Sequence, residues 1–372
     1  MATFVYDKKW WPAVRVDAEA LMEPLARIAY LQGELTGTMR LLGFEEQERA
    51  VLDGLTADVV QSSAIEGAAL DVAQVRSSIA RRLGFTMTGA VASTRNVDAV
   101  VEMLLDAIKR CGEPVTRERI LGWHAALFPT GYSGMYPVEV GRYRTGEMQV
   151  VSGAMGHERV HYVAPSPARV PAMMDEFLAW LNSDEARAMN PVLCAARAHW
   201  WFIMIHPMDD GNGRIARAIS DLVLARGDAS SDPIHGRAYS LSAQILVEKK
   251  QYYSILEHDG TGDGDITEWS LWFAQCLEHA IVAARGVVQG AVNKATFWRE
   301  HAADDFNERQ RKVLNRLLDG FEGRLTSSKW AKLCHCSQAT ALNDITALLS
   351  MGVLERDAQG GRSTGYRLAD FK

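Results

Sequence analysis

The sequence predicts a mainly α-helical protein in three parts. These are an N-terminal helical domain (1–93), a helical core (94–288) with one small β-hairpin, and a C-terminal winged helix-turn-helix (289–372). Three observations carry this. Apolar residues recur at helical spacing along most of the chain. β-prone runs gather in one place, 145–168. Over roughly the last seventy residues the pattern changes to three short helices followed by two short β-prone runs.

Taken in order, residues 17–42 read as one or two amphipathic helices with Leu21, Leu25, Ile28 and Leu31 on one stripe. A helix from Glu45 to Glu66 follows, with Gly67 placed as its C-terminal stop. Further helices are predicted at 71–82, 94–111, 116–127 and 169–182. Asn190-Pro191 opens another, because Asn suits the N-cap and Pro the first helical position. Running through Ile205, that helix is apolar nearly all round and should be central and buried. Within 145–168, Gln149–Val151 and Val160–Val163 flank a glycine-containing stretch that includes Gly153 and Gly156, which reads as a hairpin. Helices at 307–319, 326–333 and 337–351, then Val353–Arg356, Gly360-Gly361 and Tyr366–Leu368, spell three helices and a wing.

Composition sets limits. Apolar residues are 48% and charged residues 23% of the 372, ordinary for a globular protein. A net charge of −6 supplies no global field toward nucleic acid or anionic lipid. Five scattered cysteines argue against a disulfide framework and for a reducing compartment. Cys334-His335-Cys336 lacks the second ligand pair of a zinc site. MATFVYDKKWWP has no signal-peptide core, and the run Trp200–Ile205 is too short to span a bilayer, so a cytoplasmic location is expected.

The chemistry concentrates in HPMDDGNGRIAR, residues 206–217. A glycine turn opening a helix leaves backbone N–H groups pointing outward at the positive end of the helix dipole, which makes an anion site. Gly211 and Gly213 let phosphate oxygens approach the backbone without a Cβ in the way. Arg214 and Arg217, three residues apart, project from neighbouring positions and could follow a polyphosphate outward. A carboxylate beside phosphates, as at Asp210, makes sense with Mg²⁺ between them. His206 is then the titratable group suited to take a proton from an attacking hydroxyl. Together these residues suit transfer of a phosphorus group from a nucleotide to a hydroxyl.

The string resembles the Fic family signature, HxFx(D/E)GNGRxxR, at every position but one, where the family's Phe is Met208. Met can fill the same space beneath the loop. The resemblance implies a Fic-type helical core whose activity is transfer of AMP from ATP to a hydroxyl side chain (Ser, Thr or Tyr) of a target protein. It implies His206 as general base and Asp210 as Mg²⁺ ligand. Gly211, Asn212, Gly213 and Arg214 would cradle the α- and β-phosphates, with Arg217 on the γ-phosphate. The hairpin 148–163 resembles the flap that adds a strand to a target segment. Gln149, Val150, Val151, Val160, His161 and Tyr162 are its contact residues. Tyr252-Tyr253 resembles the segment bordering the nucleotide base.

Upstream, a glutamate in the last turn of a helix faces an already negative dipole end, so Glu66 is more comfortable if a cation meets it. Ser62, Glu66 and Gly67 fit the family's (S/T)xxxE(G/N) inhibitory helix. The resemblance implies that Glu66 pairs with Arg217 and keeps the γ-phosphate from settling. Holding activity down a hundredfold needs about 2.7 kcal/mol, against about 0–1 kcal/mol for an exposed pair. The pair must therefore be substantially buried.

Three signals point elsewhere. His157-Glu158-Arg159-Val160-His161 matches HExxH, which needs a helix, whereas its surroundings read as a hairpin. Asp259–Asp265 resembles the start of a calcium loop but has Ser270 at the twelfth position, so a loop between helices is preferred. In the third part, the helix 337–350 contains no Lys or Arg. Gln338, Thr340 and Asn343 could read bases, with phosphate contacts from Lys329, Lys332, Arg356, Arg362 and Arg367. A protein-contact or packing role is preferred to DNA binding. The reading is a protein adenylyltransferase using ATP and Mg²⁺, restrained by Glu66, acting on a target protein or on itself, with no membrane partner. Removal of AMP, another phosphoryl or nucleotidyl transfer, a nucleotide-sensing DNA-binding regulator, and a homodimer remain as alternatives.

Overall fold

The computed structural model describes residues 4–152, 159–227, 233–234, 236–321, 323–357 and 364–370. The calls on Gly153, Gly156, His157, Glu158, Gly360, Gly361 and Arg362 lie outside the described residues. Helices dominate. The first group is α1 (Ala18–Met39), α2 (Phe44–Ile65), α3 (Val72–Leu83), α4 (Arg95–Lys109) and α5 (Arg117–Leu127). Next come α6 (Val170–Leu181), α7 (Asp184–Ala188), α8 (Pro191–Ile205), α9 (Asn212–Gly227), α10 (Leu241–Val247) and α11 (Lys249–Asp259). The last four are α12 (Thr267–Glu300), α13 (Glu308–Leu318), α14 (Ser327–Cys334) and α15 (Gln338–Ser350). Six short strands form three antiparallel hairpins: β1 (Tyr132–Ser133) with β2 (Tyr136–Pro137), β3 (Gln149–Ser152) with β4 (Arg159–Val163), and β5 (Leu354–Arg356) with β6 (Tyr366–Leu368).

Local chemistry sets the helix ends. Asn190 caps α8, its side chain accepting from Val192 N at 2.9 Å with Pro191 in the first turn. Asp71, Thr94 and Thr116 cap α3, α4 and α5 in the same way. α2 ends where Gly67 adopts φ +79°. Gly67 N bonds to Ala64 O at 3.0 Å and Ala68 N to Ser63 O at 3.0 Å, the paired bonds of a Schellman motif. The stripe expected on α1 is present, with Leu21, Ile28 and Leu31 buried and Leu25 half-buried. The sequence reading did not include β1–β2, α7, α10 or the 34-residue length of α12.

The chain divides into two compact units, Met1–Gly37 with Gly43–Arg285, and Thr38–Leu42 with Gly286–Lys372. At the centre of the first, α8 is buried on almost every side and packs along α9. In the second, Trp330, Val313, Leu314, Ile345 and Leu348 form the core under β5–β6. There Arg309 donates two bonds to the Asp344 carboxylate at 2.7 and 2.9 Å. Gln338 and Asn343 are exposed, whereas Arg367 pairs with Glu355 and Lys329 lies over the Phe321 ring. All five cysteines are free, and among the described residues no helix is long and apolar enough to cross a membrane.

α2 is held close to the segment before α10. A Cβ on Gly54 would stand 2.7 Å from Ala238 C and from Arg237 O, both backbone atoms that cannot swing aside. Asp58 Oδ1 accepts from Ser240 Oγ at 2.7 Å and Ser242 N at 2.9 Å. Glycine is thus required at 54 by approach distance alone. Gly54→Ala should lower stability by about 1–3 kcal/mol, the usual range for overpacking. Chemical denaturation read by far-UV circular dichroism checks this.

Candidate active site

α8 ends at His206, which takes the left-handed conformation (φ 50°, ψ 58°) and bonds its N–H to Phe202 O at 3.0 Å. The loop to α9 then turns back on itself. Asn212 closes it, its Oδ1 accepting from Met208 N at 2.9 Å while its Nδ2 donates to Met208 O at 2.8 Å. Met208 is fully buried, so the apolar anchor expected there is in place. The Asn212 side chain is thus spent on closing the loop, which leaves its backbone N–H for the cradle role expected of this residue. Gly211 has φ +80°, and a Cβ there would press on Leu127 and Phe128 at 3.1 Å.

A cavity of about 770 Å³ opens above this loop. His206, Asp209, Asp210, Gly211, Asn212 and Gly213 line it from below. Glu66 from the end of α2, Tyr252 and Tyr253 from α11, and Val150, Val151, His161 and Tyr162 from β3–β4 close its sides. Of the flap residues named from sequence, Gln149 and Val160 are not in the lining. Tyr162 is buried and donates its hydroxyl to Met204 O. Tyr252 is also buried, its hydroxyl 2.9 Å from His199 Nε2, so it offers the cavity a ring wall and no free hydroxyl. Tyr253 is 40% exposed.

The His206 ring is set for proton abstraction. Nδ1 lies 3.2 Å from Ile203 O, an acceptor only, so Nδ1 carries the hydrogen and Nε2 keeps its lone pair. Burial pushes its pKa down to about 4; the Arg144 charge adds to that, while the Ile203 bond and the Glu66 and Asp210 carboxylates act the other way. The ring is therefore neutral at pH 7.

Glu66 sits on the anion site. A Cβ on Gly213 would fall 2.2 Å from Glu66 Oε1 and 3.1 Å from Arg217 Nη1. The carboxylate thus rests against bare backbone in the first turn of α9, where N–H groups have no partner inside the helix. Arg217 Nη2 donates to Glu66 Oε1 at 2.8 Å, and its Nε to Ser62 Oγ at 2.9 Å. The Arg217 side chain is 2% exposed and that of Glu66 28%, so the arginine end of the pair is buried and the carboxylate end stays partly open to solvent. Desolvation works against the Arg217 charge, but Glu66 more than offsets it and the pKa is raised. Lys249 Nζ donates to Ile65 O and so fixes the turn that carries Glu66. Two guanidinium atoms next to the cradle, Arg217 Nη1 and Arg214 Nε, are buried with no hydrogen-bond partner. Asp210 is 37% exposed on its side chain, at the edge of the cradle. No group of three acidic, histidine or cysteine residues able to hold a metal occurs among the described residues. Asp210 alone suits an ion that takes its other ligands from phosphate and water.

The remaining signals resolve by geometry. Arg159 and His161 lie on strand β4, not a helix, and both meet Glu257, at 2.6 and 2.7 Å. Residues 260–266 connect α11 to α12. Sequence reasoning missed Arg144, Lys249, Glu257 and the pair of buried His124 and half-buried Asp209; nothing in their spacing marked them.

Comparison with known proteins agrees with this geometry. Residues 114–224 match the Fic/DOC family, and residues 4–85 match a domain of unknown function (DUF4172). The chain is similar to the protein adenylyltransferase Fic of Aedes aegypti, 27% identical over 241 residues, which are 63% of this chain and 42% of that protein. The protein adenylyltransferase Fic of Nematostella vectensis is 25% identical, across 63% of this chain and 50% of its own length. Half or less of each relative is therefore spanned. A Fic family protein from Desulfovibrio desulfuricans G20 shares the fold, with TM-score 0.56 and 21% identity over 97% of this chain and 99% of its own. The Fic/DOC match covers residues 114–224, the stretch that carries α8, the loop from His206 and most of α9.

Burial of two neutral histidines has a pH consequence. Burial also drives His199 down, to about 3. An unfolded histidine titrates near 6.5, so below that pH the unfolded chain takes up protons that the folded protein refuses. Stability should be full above about pH 6.5 and fall as pH drops toward about 4. Unfolding temperature measured against pH checks this, with His206→Gln expected to flatten the slope.

Proposed function

We propose that the protein is an adenylyltransferase that moves AMP from ATP to a hydroxyl side chain of a protein, and that Glu66 restrains it. The observation that carries this reading is the Glu66 carboxylate resting on Gly213 beside the unpartnered Arg217 Nη1. An anion already occupies the place where a triphosphate would lie. In the reaction, the target oxygen bonds to the α-phosphorus, the bond from that phosphorus to the bridging oxygen breaks, and pyrophosphate leaves. His206 Nε2 takes the hydroxyl proton. The amides of Gly211, Asn212 and Gly213 and the Arg214 guanidinium hold the inner phosphates; Arg217 holds the outermost. Mg²⁺, held by Asp210, would neutralise charge on the phosphates. Val150, Val151, His161 and Tyr162 border the acceptor's path, and Tyr253 the base.

Similarity to proteins named adenylyltransferases supports the reading, as does the neutral His206 ring. In the C-terminal unit, three helices and the β5–β6 hairpin suit a winged helix. The absence of Lys and Arg from α15 supports a protein-contact role for it over DNA.

The test is transfer of α-labelled AMP from ATP with Mg²⁺ to protein. Glu66→Gly should raise transfer by about a hundredfold, and adding His206→Ala should abolish it. The Glu66→Gly rate should stay level from pH 7.5 down to about 5.5, because the base does not protonate in that window. Unchanged ATP affinity and transfer in Glu66→Gly would remove the restraint from this account.

A further inference from the structure

One buried cation lies just behind the loop that follows α8 and, among the described residues, contacts no carboxylate. Arg144 is 2% exposed. Its guanidinium donates from Nε to His206 O at 2.8 Å, from Nη1 to Gly146 O at 2.9 Å, and from Nη2 to Pro165 O. Its own backbone N–H bonds to Pro207 O at 3.0 Å. Gly146 precedes β3 and Pro165 follows β4, so the three carbonyls belong to the two legs of the hairpin and to the residue that carries the imidazole. Only a planar fork with several fixed donors can span such a set.

From this geometry we propose that Arg144 is a positioning residue that fixes the β3–β4 hairpin and His206 in one frame, so that an acceptor paired with the hairpin is aligned to the base. His206 makes the coupling stiff. Its backbone is left-handed, a conformation unfavourable for a residue with a Cβ, and its carbonyl is what Arg144 grips. A shift of either hairpin leg pulls on that carbonyl and so re-aims the ring. Other side-chain bonds brace β4 without touching His206: Tyr162 to Met204 O, Tyr6 Oη to Val163 O at 2.7 Å, and Arg159 and His161 to Glu257. Arg144 is thus the link that transmits to the base.

The inference rests on the adenylyl-transfer reading, and its test separates the two. In the full-length Glu66→Gly protein, Arg144→Lys keeps a positive charge but cannot span three carbonyls. Turnover should fall about a hundredfold, as for a misplaced reacting group, with ATP affinity by calorimetry unchanged. Amide exchange should quicken across 149–152 and 159–163 and stay slow in α8. If turnover per folded molecule is intact and only the unfolding temperature drops, Arg144 is merely structural and the proposal is overturned. Unchanged exchange in the hairpin overturns it equally. Should Glu66→Gly itself transfer nothing, the adenylyl reading fails, and the exchange measurement alone decides whether Arg144 holds the hairpin.

Discussion

A fully buried arginine needs partners that offset the loss of its hydration, and for Arg217 one of them is a carboxylate. In this structure the partner is Glu66, seated on the bare backbone of Gly213. Taking the carboxylate away without replacement would leave a cation stranded under the cavity floor. A phosphate could replace it. On the proposed reading the contact would do more than obstruct. It keeps a costly charge satisfied, and it would tie the strength of the restraint to the affinity of the anion that displaces it.

How the carboxylate could yield follows from the way α2 is held. Mid-helix, Gly54 brings the backbone against residues 237–238 and Asp58 gathers Ser240 and Ser242, so the body of the helix cannot drift without breaking buried contacts. The end is lighter. Beyond the Schellman bonds and the Lys249 bond to Ile65 O, Glu66 is anchored by Arg217 through its own side chain. Rotation of that side chain costs far less than undocking twenty-two residues of helix.

Much of this was readable from residue order. The catalytic string declares itself because glycines, a histidine and arginines at fixed spacing have few other reasons to coexist. Asn190-Pro191 and Gly67 marked helix ends because capping is local chemistry. Long-range geometry was not readable. Residue order does not reveal that Met208 takes both bonds of the Asn212 amide. Nor does it reveal that the Tyr252 hydroxyl meets His199, fifty-three positions earlier. Arg144 sits in an irregular segment where no periodicity separates a buried guanidinium from a solvated one. The short β1–β2 pair and α7 are too brief for a periodic pattern to mark them.

Glu66 falls within the 4–85 segment, whereas His206 and both arginines fall within 114–224. Both nonetheless lie in one compact unit, where α2 packs on α9 and α10 through buried contacts. On the proposed reading, a cut in the chain between the two segments would leave the clasp closed, because packing and not the covalent link holds it shut.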